Sequence, residues 1–136
     1  MKIKIFKFNE NVIEPRRAHY DDAGLDCYSL QDYVLKPNTP TLIPLGFGLD
    51  IPNGYVVLIK PRSSMNVKGV LTQEGIIDSG YKGEIKAVLI NLTNNDIKIE
   101  KGNKICQLIT HPVTYVDVSL ELGLEREQNG FGSTGK

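Results

Sequence analysis

Cysteine and histidine are scarce in this chain, with two of each, and neither Cys27 nor Cys106 has a partner at CxxC spacing. That excludes a disulfide framework and leaves few soft ligands for a zinc site, so both cysteines are expected as buried free thiols. Net charge is lacking too, because sixteen Lys+Arg balance sixteen Asp+Glu. Nothing global draws the chain onto nucleic acid or an anionic membrane, and any polyanion must be held by a local cluster. No run approaches the roughly eighteen apolar residues of a membrane span, and the N-terminal MKIKIFKFNE has neither an apolar h-region nor a cleavage site. The expectation is a cytoplasmic protein (host-cell cytoplasm or nucleus if the source is viral) with no nucleic-acid and no membrane partner. A metal here would need oxygen ligands.

Helical periodicity is also poor. Thirteen Gly and seven Pro break the chain at short intervals, and between the breaks residues alternate or are β-branched. Candidate strands are 2–8, 25–30, 41–51, 55–60, 70–73, 84–92, 96–100, 104–110 and 113–120. In 84–92 both faces are largely apolar, which marks a central strand. Turn sequences separate these segments at Pro52-Asn53-Gly54, Asn94-Asn95-Asp96 and Lys101-Gly102-Asn103. The fold class predicted is all-β, a sandwich, jelly roll or closed barrel. A chain of 136 residues fits one domain. The division expected is a β core over 1–124 and a mobile glycine-rich arm over 125–136, where apolar periodicity stops.

Three clusters carry chemistry. Only four arginines occur, against twelve lysines, so Arg62 in Pro61-Arg62-Ser63-Ser64 is informative. A guanidinium, two hydroxyls and free backbone N–H groups within four residues suit a phosphate. A serine-capped helical turn with a solvated arginine explains the same residues equally well. Asp78, in Ile76-Ile77-Asp78-Ser79-Gly80-Tyr81, is more often a turn-opening aspartate than a general base or an indirect metal ligand. Asp26, in Ala23-Gly24-Leu25-Asp26, has the same two readings. Arg126 and the segment from Gly130 through Phe131, Gly132 and Ser133 to Gly135 could wrap phosphates, and Phe131 has no core to enter but could stack on a flat ligand. The bland alternative is a disordered tail.

In this order the clusters resemble the trimeric dUTP nucleotidohydrolases, the dUTPase family. Its five motifs are matched by Ala23 to Asp26, Pro61 to Ser64, Gly75 to Ile85 with an end near Asn91, Gly102 to Ile109, and Arg126 with Gly130 to Gly135. Ser64 stands where many relatives have glycine, and Glu127, Gln128 and Asn129 where small residues are usual. The resemblance implies a jelly-roll-like distorted barrel, assembled as a homotrimer with sites shared between subunits. It implies Mg²⁺-dependent hydrolysis of dUTP to dUMP and pyrophosphate, with Asp78 activating the water and Asp26 reaching the metal through water. Arg62, Ser63, Ser64 and Gln107 would hold the phosphate chain. Tyr81 would lie against the deoxyribose, and the hairpin that includes Gly75 would read uracil through its main chain. Phe131 would cap the base, with Arg126 on the γ-phosphate and Gly132 and Ser133 among the substrate contacts. Side-chain contacts to the base around Thr72 and Gln73 are left open. dCTP deaminases share the fold, but Val88 stands where their catalytic glutamate falls. A non-catalytic binding trimer would have no need of the water-activating Asp78, and a capsid-type module explains the strands but none of the clusters.

Overall fold

The structure, a computed structural model, describes residues 1–124. Eleven short strands and one helical turn follow one another: β1 (Lys4–Lys7), β2 (Leu25–Tyr28), β3 (Tyr33–Leu35), β4 (Pro40–Pro44), β5 (Phe47–Asp50), β6 (Tyr55–Lys60), α1 (Ser63–Val67), β7 (Val70–Thr72), β8 (Gly75–Ile77), β9 (Lys86–Asn91), β10 (Ile97–Ile99) and β11 (Lys104–Pro112). The expected all-β class is what these residues adopt. The strands pair antiparallel in four sheets, ordered β2-β11-β6-β8, β4-β9-β7, β1-β5 and β3-β10. As the two-sided apolar pattern predicts, β9 is central, with β4 on one edge and β7 on the other.

The core gathers one face of every sheet, with Leu35, Ile43, Phe47, Val57, Leu89, Ile105 and Leu108 almost completely buried. Truncating any of its Leu or Ile residues to Ala should cost about 2–5 kcal/mol. Polar groups inside it are paired. Thr72 is buried and its hydroxyl donates to the Ile105 carbonyl at 3.3 Å. Asn91, fully buried, uses its whole amide: Nδ2 donates to the Leu35 and Asn95 carbonyls, while Oδ1 accepts from the Thr93 N–H and hydroxyl. This side chain therefore ties β9 to β3 and to the turn before β10, two sheets that share no strand.

Three expectations need correction. The segment 41–51 is two strands rather than one. Gly46, at φ +81, turns the chain so that β4 pairs with β9 and β5 with β1. Only glycine adopts that angle without strain, and a Cβ there would lie 2.6 Å from Leu30 Cδ1. The short strands β3 and β8 join consecutive apolar residues, Tyr33-Val34-Leu35 and Ile76-Ile77, and so show no alternation, unlike the equally short Ile97-Lys98-Ile99 of β10. The strand expected over 113–120 is absent. Beyond Pro112 the described chain is irregular and mostly exposed, since its apolar face finds no strand to pair with among the described residues.

Candidate active site

The candidate residues fall into two groups placed by opposite ends of β6. At its C-terminal end the chain leaves Lys60 through Pro61, and Arg62 becomes the N-cap of α1 in an extended conformation, φ −98 and ψ 137. No side chain caps this helix. The serines are thus free of the capping duty that would have explained them. Arg62 Nε donates to Asp26 Oδ1 at 3.1 Å and Nη1 to the Ser64 hydroxyl at 3.1 Å. Lys104 Nζ stands 3.3 Å from Asp26 Oδ2. The Asp26 side chain is only 13% exposed, so one carboxylate holds two cations together. The local sum of these charges is positive, and guanidinium and ammonium donors remain available to an anion.

Gln107 completes this group. It faces Asp26 across the β2–β11 ladder, and its Nε2 donates to the Pro61 carbonyl at 2.9 Å. Gly24 makes room for it: a Cβ at that position would lie 2.2 Å from Gln107 Oε1. Lys104 is the residue that sequence reasoning missed. Strict alternation would put positions 104 and 107 on opposite faces, but the β2–β11 register shifts between Lys104 and Cys106. Ile105 and Cys106 are both buried there, so the bulge brings Lys104 to the side of Asp26 and Gln107. A concavity of about 350 Å³ opens beside the group, lined by Arg62, Ser64, Lys68, Lys98 and Lys104.

The second group follows β8. Since Val57 pairs with Ile77, Asp78 lies by the N-terminal end of β6. The six residues from there to Arg62 span about 20 Å of extended chain. Asp78 is exposed and forms no ion pair among the described residues. It borders a concavity of about 420 Å³ with Ser79, Ile76, Tyr55 and Tyr115. The Asp78 carbonyl accepts from the Tyr81 N–H at 3.0 Å, which closes the turn, and the Tyr81 hydroxyl donates to the Glu84 carbonyl at 2.7 Å. Tyr81 borders a smaller concavity of about 240 Å³ with Ile76, Ile77 and Glu84. Gly75 begins β8 and packs over Ile59. Thr72 turns into the core and is unavailable to a base, whereas Gln73 is exposed.

Arg126, Phe131, Gly132 and Ser133 lie outside the described residues. Cys27 and Cys106 face each other across the β2–β11 ladder as buried free thiols. Hydrogen bonding with Cys106, burial and nearby negative charge push the Cys27 thiol well above its ordinary range. Among the described residues no three His, Cys, Asp or Glu side chains gather as a metal cage, and no helix is long and apolar enough to cross a membrane.

Residues 10–135 match the dUTPase family model. The deoxyuridine 5'-triphosphate nucleotidohydrolase of Clostridioides difficile is 40% identical over 139 residues, 98% of this chain and 97% of that protein. The protein of the same name from Nautilia profundicola is 40% identical over the full length of both. Among solved structures, the dUTPase of Staphylococcus bacteriophage 80alpha with bound dUpNHpp superposes at a TM-score of 0.82, with 27% identity and 98% of each chain covered.

Proposed function

Because this chain belongs to the dUTPase family, we infer that it is a dUTP diphosphatase, an enzyme that hydrolyses dUTP to dUMP and pyrophosphate in the cytoplasm. Two relatives of that activity's name match it at 40% identity over nearly its whole length. In the finer reading, water attacks the α-phosphorus. Asp78 accepts a proton from that water, and its exposed carboxylate, without an ion pair among the described residues, suits a general base. Arg62, Ser63, Ser64 and Gln107 orient the phosphate chain, and Lys104 joins them as a further cation. Tyr81 lies against the deoxyribose. The hairpin from Gly75 reads uracil through main-chain N–H and C=O groups. Cytosine would leave one such group unpaired, at a cost of roughly 1–3 kcal/mol.

The residues fit Mg²⁺ only in an indirect mode. Asp26 is a lone carboxylate whose two oxygens already face Arg62 and Lys104, so it would hold the ion through water while substrate phosphates supply direct ligands. The chemistry of a bound Mg²⁺ is neutralisation of charge on the phosphate oxygens.

The observation that carries the architecture is the separation of the two groups along β6. One chain's Asp78 cannot act on phosphates held by the same chain's Arg62 across about 20 Å. A closed homotrimer of jelly-roll-like barrels resolves this by bringing hairpin and phosphate groups together from different subunits. The open concavities beside Arg62 and Tyr81, near and below the lower limit for a complete ligand pocket, agree with walls supplied by neighbours. The glycine-rich arm over 125–136, with Arg126 on the γ-phosphate, Phe131 over the base, and Gly132 and Ser133 among the substrate contacts, then closes the site. Incubation with dUTP or dCTP plus Mg²⁺, with identification of products, tests the reading. dUMP and pyrophosphate are expected, and ammonia from dCTP would refute it.

A further inference from the structure

We propose that Gly83 determines sugar selectivity by positioning Tyr81, an inference that rests on reading Tyr81 as the wall against the deoxyribose. A Cβ built on Gly83 would lie 2.7 Å from Tyr81 Oη, 2.8 Å from Cζ and 3.1 Å from Cε1. The ring therefore lies against the Gly83 main chain, where no other residue would admit it. Backbone conformation does not demand the glycine. Gly46, Gly54, Gly69 and Gly102 have positive φ, and Gly83 does not. What the missing side chain provides is space for the ring.

That space is used to fix Tyr81 at three points. Its main chain closes a turn onto the Asp78 carbonyl at 3.0 Å, and its hydroxyl donates to the Glu84 carbonyl at 2.7 Å. Gly83 backs the ring between them. The side chain is otherwise 47% exposed, so its free side is available to a ligand. A wall excludes a 2′-hydroxyl only if it cannot retreat, and a ring braced by backbone in this way cannot. In Gly83→Ala the new methyl takes the place of the phenol end. Because that end is the tip of a half-exposed side chain, the ring swings away and the backbone stays. The Glu84 bond is lost with it.

The test compares kcat/KM for dUTP and UTP in wild type, Tyr81→Ala, Gly83→Ala, Tyr81→Phe and the Tyr81→Ala/Gly83→Ala double variant. Where UTP turns over too slowly, its strength as an inhibitor replaces kcat/KM. Gly83→Ala should narrow the preference for dUTP by about fivefold or more, the worth of one ordinary hydrogen bond, mainly by admitting UTP past the displaced ring. Tyr81→Phe, which removes the hydroxyl alone, should narrow it in the same direction. Once Tyr81 is Ala there is no ring to displace, so adding Gly83→Ala should change nothing further. Multiplying effects in the double variant would give Gly83 a merely structural role and overturn the inference. So would an unchanged ratio in Gly83→Ala or, should that variant not fold, in Tyr81→Phe. If Tyr81→Ala itself leaves the ratio unchanged, the sugar-wall reading falls first and this inference falls with it.

Discussion

Asn in place of Asp78 keeps the shape of the side chain and removes its capacity to take a proton. Asp78→Asn should therefore bind nucleotide and fold as before while turnover falls by about 10²–10⁴-fold. Retention of more than half the wild-type rate in a steady-state assay would take Asp78 out of the mechanism. Nearby, a hydrogen bond and charge from Lys82, 2.7 Å away, hold the Asp50 carboxyl below the usual carboxylate range. A depressed folded-state value stabilises above the ordinary range and ceases to do so as pH falls through the lowered value. Lys82→Ala should return Asp50 toward the ordinary range in an NMR titration. Its unfolding curves should converge with those of wild type as the medium becomes acid, and both residues' exposure keeps the neutral-pH difference small. Residues of this kind differ in how far the sequence reveals them. Arg62 stands out because arginine is rare here, whereas Lys104 is one lysine among twelve and owes its place to a bulge that no residue type announces.

Most of the strands were legible because alternation over five or more residues reports a half-buried ladder. The failures have physical causes. A single positive φ at Gly46 divides one apolar run between two sheets, and β3 and β8 string apolar residues together without alternation. The segment after Pro112 fails differently: Val116, Val118, Leu120, Leu122 and Leu124 alternate as a strand should, yet all five are exposed. In the homotrimer proposed above, such a face would pair with a strand of another copy. Leu120→Asp/Leu122→Asp should then shift the mass in solution from trimer toward monomer and abolish turnover, with the monomer still folded. An unchanged trimeric mass by sedimentation would assign this face another role.

At the scale of the assembly, two inactive variants test whether hairpin and phosphate groups come from different chains. Consider Asp78→Asn and Arg62→Ala, co-refolded in equal amounts. If sites are shared, one works when its Asp78 comes from the second variant and its Arg62 from the first. Random assembly gives one-half times one-half, or about a quarter of sites active. If both groups serve their own chain, no site works, and zero recovery in mixed trimers verified by mass refutes sharing. Within a single subunit, the Asn91 amide has a consequence for how the molecule opens. It links the β4-β9-β7 and β3-β10 sheets through the Leu35 and Asn95 carbonyls, so neither sheet can fray without stranding buried polar groups in the other. Backbone amides of both sheets should therefore exchange with deuterium through one shared opening, as a single cooperative unit. Asn91→Leu should split that unit in two, with the amides of β3 and β10 exchanging ahead of those in β9.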